Sequence, residues 1–329
     1  MCVPVQRGFP PGKVSVPVLP VLVIRLQSSY TRVLEFRMGK AMPFRKLLFV
    51  CALLWLPISA NAAGDWVQTL KRINDSGQIN LGYRRDQTPL SFDSGSNRPA
   101  GYSVELCTRI AKAVQLELGR SDIKVNYMPV SADNRFSEIQ SGKIDLLCGA
   151  TTKTLSRAEI VGFTQPTFVT GGALVSRKDA VVDDVEQLEG KRVAVVSNTT
   201  TIVALTDAIT ELAIDAEVIA VDSTDAGMAM LDSNKVDAFA ADQVVLIGQV
   251  ISRGGREKYA LSSDIFSFEP FALAMPRGDA DFQLLADRVL SELYRSGAII
   301  KIYRRWFGSF GENLPGALTA LYQLNATPE

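Results

Sequence analysis

Two sets of alternating strand-like and helix-like segments fill most of the chain, and this alternation constrains the fold more than any other feature. The first set covers residues 78–148 and the second covers residues 191–252. Apolar runs such as KRVAVV (191–196) are typical of strands covered on both faces, and a segment with helical apolar spacing follows each strand. Repeated β-α-β units predict an α/β protein whose parallel or mixed sheets carry helices on both faces.

Two β-rich stretches, 168–176 and 268–275, join the two sets and predict two lobes with a double crossover. Two helices are expected after the second stretch, and loose order is expected from Ser309 onward. The predicted domains are a first lobe of residues 63–172 plus 272–308, a second lobe of 173–271, and a C-terminal tail of 309–329.

Residues 42–62 have the three parts of a secretory signal: a basic start (42–46), an uncharged apolar run (47–58), and Ala60-Asn61-Ala62 as a cleavage site. We therefore predict that residues 1–62 are a leader and signal peptide, with translation from Met42 (or Met38), cleavage after Ala62 and export of the remainder. An uncleaved membrane anchor and an unusually long basic leader are the alternatives.

Removal of this leader changes the charge balance. The whole chain has 35 basic and 35 acidic residues, of which residues 1–62 hold 8 basic and 1 acidic, so 27 basic and 34 acidic residues remain, a net charge of −7. A protein with this charge is not expected to be a general binder of nucleic acid or of anionic membranes.

The chain contains no histidine. This excludes Ser-His-Asp and Cys-His nucleophile systems, histidine bases and histidine metal ligands. None of the four cysteines is in C-x-x-C spacing, and the glycine-rich loops that bind dinucleotides or phosphates are missing. No metal and no cofactor is expected.

Cys107 and Cys148 are the two cysteines that remain after the leader is removed. Export implies an oxidising compartment. Cys107 lies on the apolar face of a predicted helix and Cys148 at the end of a buried strand, so packing of that helix on the sheet would bring them together. A disulfide is expected, with two buried free thiols as the alternative.

Polar side chains gather at the predicted strand ends, where doubly wound folds present residues to a ligand. Arginine forks pair with carboxylates, threonine hydroxyls and helix N-termini add donors, and one aspartate suits an ammonium group. Two carboxylates and an ammonium describe glutamate or aspartate. The candidate ligand-binding residues are Arg84, Arg135, Thr151, Thr152, Arg157, Thr199, Thr200 and Asp242.

Each of these residues also has a plain structural explanation. Arg84 precedes Arg85, and either could be a solvated surface charge. Arg135 could cover its own helix, and Thr199 and Asp242 could be helix caps.

The same segments resemble the extracellular solute-binding proteins (family 3) of polar amino-acid ABC transporters, and most of all their glutamate/aspartate-binding members. The resemblance extends from about Trp66 to Gly308. The matching stretches are LGYRRDQTPLSF (81–92), GYSVELC (101–107), ADNR (132–135), IDLLCGATTKTLSR (144–157), VVSNTTT (195–201) and FAADQVVLIG (239–248).

This resemblance implies a type II periplasmic-binding-protein fold: two lobes, each a mixed sheet flanked by helices, and two hinge strands that let the lobes close on a ligand. It also implies a periplasmic, monomeric, non-enzymatic protein that delivers an amino acid to an ABC permease in the inner membrane.

The resemblance further implies a role for each candidate residue. Arg157, Thr152 and the backbone after Cys148 would hold the α-carboxylate, and Asp242 the α-ammonium. The side-chain carboxylate would bind Arg84 and Arg135, with Thr199 and Thr200 closing from the second lobe.

The chain departs from this family pattern at three positions. Ala150 and Ala132 stand where glutamate/aspartate binders have serine, and Thr224 stands where they have histidine. The lost hydroxyl and imidazole contacts would weaken binding or shift the preference among Glu, Asp and their amides.

Two other functions are compatible with such a fold. One is an exported, dehydratase-like enzyme acting on a small carboxylate, which would need an acid or base in the cleft. Asp242 is the acidic residue expected there, and it suits an ammonium better. The other is a ligand-sensing module of a signalling protein.

Overall fold

The computed structural model describes residues 68–95, 97–308 and 314–329. The expected leader, with its start at Met42 and cleavage after Ala62, lies outside these residues. Within the described ranges, no helix combines the length and the apolar character that crossing a membrane requires.

The strands are short and are distributed along the described chain. They are β1 (Gln78–Tyr83), β2 (Asp86–Gln87), β3 (Ser91–Asp93), β4 (Pro99–Ala100), β5 (Lys124–Pro129), β6 (Leu146–Cys148), β7 (Gly162–Phe163), β8 (Phe168–Thr170), β9 (Gly172–Arg177), β10 (Arg192–Val196), β11 (Glu217–Val221), β12 (Ala238–Asp242), β13 (Tyr259–Leu261), β14 (Glu269–Phe271) and β15 (Ala274–Met275).

The helices alternate with the strands. They are α1 (Thr69–Ser76), α2 (Tyr102–Glu117), α3 (Arg135–Gln140), α4 (Leu155–Ala158), α5 (Thr200–Glu211), α6 (Thr224–Asp232), α7 (Gln243–Ser252), α8 (Ala280–Arg295), α9 (Ala298–Phe307) and α10 (Gly316–Leu324), with single 3-10 turns at Glu186–Leu188 and Gly255–Glu257.

The first lobe is built on a mixed five-stranded sheet of order β5-β1-β6-β15-β7. Strand β1 is parallel to β5 and β6, whereas β15 is antiparallel to β6 and β7. Ile79 and Leu81 of β1 are fully buried in a core with Ile110 and Val114 of α2. This packing holds the end of β1 at Tyr83, directly before Arg84.

The second lobe is built on a mixed sheet of order β11-β10-β12-β9-β13. Strand β10 is parallel to β11 and β12, and β9 is antiparallel to β12 and β13. Successive side chains of β10 point to opposite faces: Val195 packs with Leu205 of α5, and Val196 with Met228 of α6. The predicted α/β class, with a mixed sheet and flanking helices in each lobe, is confirmed.

The chain crosses between the lobes twice, once through β8 and β9 and once through β14 and β15. Strands β8 and β14 pair antiparallel with each other, while β9 continues into the second sheet and β15 into the first. The two predicted β-rich stretches are therefore each divided in two, and the β8–β14 pair connects the lobes.

The expectation of loose order after Ser309 is wrong for residues 316–324, which form α10. Leu318 and Tyr322 lie four residues apart on one helix face and are buried. The Tyr322 hydroxyl is 2.9 Å from that of Tyr102, and its ring stacks on Tyr294 at 5.0 Å between centroids. This contact with the first lobe, and not local sequence, stabilises so short a helix.

The predicted disulfide between Cys107 and Cys148 is present, with 6.0 Å between the Cα atoms. It joins α2 to β6, and both residues are fully buried. The bond closes a loop of 41 residues in the first lobe, so the chain-entropy model gives a stabilisation of about 3–4 kcal/mol.

Loss of this bond should lower the melting temperature by about 10 °C, because the unfolded chain gains the freedom of that loop. The measurement compares the wild type with Cys107→Ala/Cys148→Ala in the presence and absence of a reductant. Reductant should lower the melting temperature of the wild type and leave the double variant unchanged; equal melting temperatures for oxidised and reduced wild type would contradict this.

Candidate functional site

A cleft lies where strand ends of the first and second sheets meet. About 320 Å³ of space not filled by atoms lies in it, and this space includes open solvent. Its polar lining is formed by Arg84 and Gln87 of the first lobe and Thr199, Thr201, Thr224 and Asp242 of the second. Arg84 directly follows β1 and Asp242 ends β12, so the cleft occupies the position where open α/β sheets bind ligands.

The three predicted arginines of the first lobe, Arg84, Arg135 and Arg157, lie near one another and near Asp242, and of the three Arg84 lines this cleft. Arg84 and Arg135 are each only 4% exposed. Burial, followed by the positive charges of Arg157 and Arg84, lowers the pKa of Arg135 to about 9. Burial also lowers the pKa of Arg157. Like charges gathered in a buried place favour an anionic partner.

Arg135 begins α3 and spans the two lobes. One terminal nitrogen donates to the main-chain oxygen of Ala132, and the other donates at 2.8 Å to that of Asn198 in the second lobe. The Arg135 Nε atom is buried and has no hydrogen-bond partner among the described residues. Arg135 therefore does not simply cover its helix, and one donor remains for another group.

Arg157 is fixed from two sides. Its Nη1 donates to the main-chain oxygen of Thr152 at 2.8 Å, and Thr154, which caps α4, accepts its main-chain N–H. The ring of Phe136 lies beside both neighbouring guanidinium groups, 4.7 Å from that of Arg135 and 5.3 Å from that of Arg157. These cation–π contacts keep both forks close to each other at the same side of the cleft.

Arg84, and not its exposed neighbour Arg85, is the buried member of the Arg84-Arg85 pair. Its Nη2 donates to both carboxylate oxygens of Asp86, at 3.1 and 3.3 Å. Asp86 is itself only 7% exposed and accepts the N–H of Thr224 from the second lobe at 2.7 Å. A carboxylate of the protein itself, that of Asp86, therefore lies beside Arg84.

The buried threonines Thr151 and Thr152 follow β6, and Thr152 contacts an acid that the sequence analysis missed. The hydroxyls of Thr152 and Thr200 donate to the same oxygen of Glu269, at 2.6 and 2.8 Å. Glu269 starts β14 and is 2% exposed. It therefore receives one hydroxyl from each lobe at the connection between them.

Thr199 caps α5, which is the structural role that the sequence also allowed for it. Thr199 lines the cleft as well. Its hydroxyl accepts the N–H of Ile202 and donates to the main-chain oxygen of Val196 at 2.7 Å. Capping and ligand contact are compatible, because the helix N-terminus itself points N–H groups toward an anion.

Asp242 does not cap its own helix with its side chain. Its Oδ1 atom is buried and lacks a hydrogen-bond partner among the described residues. Burial and then the negative charge of Glu269 raise the pKa of Asp242 to about 8, although Arg157, Arg135 and Arg84 act in the opposite direction. A carboxylate held this way gains most from a cationic partner.

The site therefore offers separate places for anionic and cationic groups. Three guanidinium groups stand against three carboxylates, the buried ones of Asp86 and Glu269 and the half-buried one of Asp242, so no single sign of charge dominates. Across the described ranges, no group of three or more Cys, Asp or Glu side chains is arranged to hold a metal ion.

Sequence reasoning missed two acidic residues at this site, Asp86 and Glu269, and two residues that line the cleft, Gln87 and Thr201. Asp86 directly follows the arginine pair and begins the two-residue strand β2, and Glu269 is an acid inside an apolar strand-like stretch. An acidic residue in an otherwise apolar segment beside a predicted site was the signal available for Glu269.

The family model of the bacterial extracellular solute-binding proteins, family 3, matches residues 79–309. Among curated proteins, the L-glutamate/L-aspartate-binding protein of Pseudomonas aeruginosa is 31% identical over 259 residues, covering 78% of this chain and 85% of that protein. The glutamate/aspartate import solute-binding protein of Escherichia coli K12 is 28% identical over 249 residues, covering 76% and 82%.

Solved structures agree on the fold. The solute receptor for L-cysteine of Neisseria gonorrhoeae superposes with a TM-score of 0.66 at 23% identity, covering 76% of this chain and 98% of that one. The type II periplasmic-binding-protein fold is thereby confirmed. The chain belongs to the bacterial extracellular solute-binding proteins of family 3, which serve amino-acid transport as substrate-binding proteins and are not enzymes.

Proposed function

We propose that this protein binds L-glutamate or L-aspartate in the periplasm, acts as a monomer, and delivers the ligand to an ABC permease in the inner membrane. One observation carries the proposal: Asp242, whose buried Oδ1 has no hydrogen-bond partner among the described residues, is close enough to Arg157, Arg135 and Arg84 for their charges to act on it, and Arg84 lines the same cleft. The names of the Pseudomonas and Escherichia relatives support the same ligand class.

The proposed ligand orientation follows from the positions of these charges. The α-carboxylate is assigned to Arg157 and to the main-chain N–H of Thr152, because the Thr152 hydroxyl already donates to Glu269. Thr151 and the main-chain N–H groups after Cys148 are assigned to the same end of the ligand. Asp242 Oδ1 accepts the α-ammonium, which supplies the missing partner. Charge-assisted hydrogen bonds of this kind are about twice as strong as neutral ones, so they dominate affinity in a buried cleft.

The opposite end of the ligand is proposed to lie between Arg84 and Arg135. The unpartnered Nε of Arg135 supports this, because it is a buried donor that a side-chain carboxylate would satisfy. Thr199 and Thr200 then contribute from the second lobe at the N-terminus of α5.

Closure of the lobes is proposed to complete the site. The proposed lobes are residues 63–172 plus 272–308, and residues 173–271, which rotate about β8 and β14. Cross-lobe contacts support the proposal: Arg135 reaches the main-chain oxygen of Asn198, and the Asn198 amide donates to Asp133 at 2.7 Å. These bonds form only when the lobes are together.

Replacement of Arg157 by alanine should abolish binding of every amino acid, because all of them present an α-carboxylate. Calorimetry of the wild type with L-glutamate, L-aspartate, L-glutamine and L-asparagine provides the baseline, where we expect dissociation constants of about 1 µM or lower for the acidic pair. Arg157→Lys tests whether the planar guanidinium group is needed, because lysine retains the positive charge and lacks the paired donors of arginine. No binding of either acidic amino acid to the wild type would refute the ligand assignment.

Replacement of Arg84 by alanine should weaken the binding of glutamate and aspartate more than the binding of their amides. The additional increase in the dissociation constant should be about tenfold or more, because Arg84 is assigned to the side-chain carboxylate. The matched control is Arg85→Ala, which removes an exposed arginine one position away and should leave all four affinities unchanged. Equal losses for glutamate and glutamine in Arg84→Ala would contradict the proposed division of roles.

The ligand-free protein should open as the pH rises from about 4 to about 8. The pKa of Asp242 is about 8 in this closed form and 3.8 ordinarily. The closed form is therefore favoured by protonation, and this advantage is lost as Asp242 ionises through that window. Small-angle scattering without ligand should show the radius of gyration increasing over this range in the wild type. A radius in Asp242→Asn that changes as much as the wild type's would rule out Asp242 as the cause.

A further inference from the structure

Asp86 is a buried carboxylate placed directly on one of the ligand-binding arginines. Its two oxygens lie 3.1 and 3.3 Å from Arg84 Nη2, and the side chains of the pair are only 5% and 7% exposed. Such a pair, removed from water, is screened weakly by salt. The negative charge of Asp86 therefore compensates one of the two positive charges that Arg84 and Arg135 carry.

Two further bonds fix Asp86 in this position. Its Oδ2 accepts the N–H of Thr224, the first residue of α6, at 2.7 Å, and its main-chain oxygen accepts Nε2 of Gln249 from α7 at 3.1 Å. Both partners belong to the second lobe. The carboxylate cannot rotate away from Arg84 without loss of a cross-lobe bond.

A ligand carboxylate bound to Arg84 would lie beside the Asp86 carboxylate. Two like charges in a poorly hydrated site repel strongly, whereas a ligand amide carries no net charge and is spared this repulsion. The same amide can donate a hydrogen bond to an Asp86 oxygen, which an ionised ligand carboxylate cannot do.

We propose that Asp86 is a specificity-determining residue that reduces the preference of the site for acidic amino acids over their amides. The inference rests on the proposed amino-acid site at Arg84 and Arg135. In this role Asp86 makes glutamine and asparagine acceptable alternatives in a cleft whose arginines would otherwise exclude them.

The test replaces Asp86 by asparagine, which has the same shape, retains an acceptor for the Thr224 N–H and removes the charge. The measured quantity is the ratio of the dissociation constants of L-glutamine and L-glutamate, obtained by calorimetry on the exported protein. Asp86→Asn should raise this ratio about tenfold or more over the wild type. Asp86→Ser, which also lacks the charge, provides the same test if the asparagine variant does not fold.

The matched control is Gln249→Ala, which removes the other cross-lobe bond to Asp86 and leaves its carboxylate intact. It should weaken the binding of glutamate and glutamine equally and leave the ratio of their dissociation constants unchanged. An unchanged or lower ratio in the Asp86 variants would overturn the inference, as would a Gln249→Ala ratio that rises as far as theirs.

The outcomes also separate this inference from the proposed ligand. If the wild type binds amides and neither acidic amino acid, the ligand assignment fails, while Asp86→Asn is still expected to gain glutamate binding relative to glutamine. If neither the wild type nor the Asp86 variants bind any of the four amino acids, both proposals are overturned.

Discussion

The arginines Arg84 and Arg135 are buried and Arg157 is half-buried, and each guanidinium group needs anionic or carbonyl partners because water is largely excluded. Main-chain oxygens of Ala132, Asn198 and Thr152 satisfy part of this need. Buried carboxylates supply the rest of the compensation, and Asp242 retains an unpartnered oxygen. Among the described residues of this cleft region, the buried side-chain atoms left without a hydrogen-bond partner are Arg135 Nε, a donor, and Asp242 Oδ1, an acceptor.

The fold places these charges by the geometry of its sheets. Parallel strands β1 and β6 end at the first lobe's side of the cleft, and β10 and β12 end at the other side, so residues far apart in sequence meet there. The disulfide between α2 and β6 stabilises the first lobe behind the site. Cross-lobe bonds from Thr224 to Asp86 and from Thr200 to Glu269 join the two sides of the cleft.

Much of this arrangement could be predicted from the sequence. Strand–helix alternation gave both sheets, and the rule that ligands lie at strand ends selected the arginines and Asp242. Asp86 and Glu269 could not be found in this way, because their partners Thr224 and Thr200 come from the other lobe and their burial exists only after the lobes meet. Helix α10 was missed for the same physical reason, since its stability comes from packing on the first lobe.

We propose that the cleft holds an amino acid by its three charges. A crystal structure of the protein with L-glutamate would show this contact by contact. We expect the α-carboxylate within hydrogen-bond distance of Arg157 and Thr152, the ammonium on Asp242 Oδ1, and the side-chain carboxylate on Arg135 beside Arg84. A ligand bound in the reverse orientation, or one whose ammonium contacts no oxygen of Asp242, would contradict it.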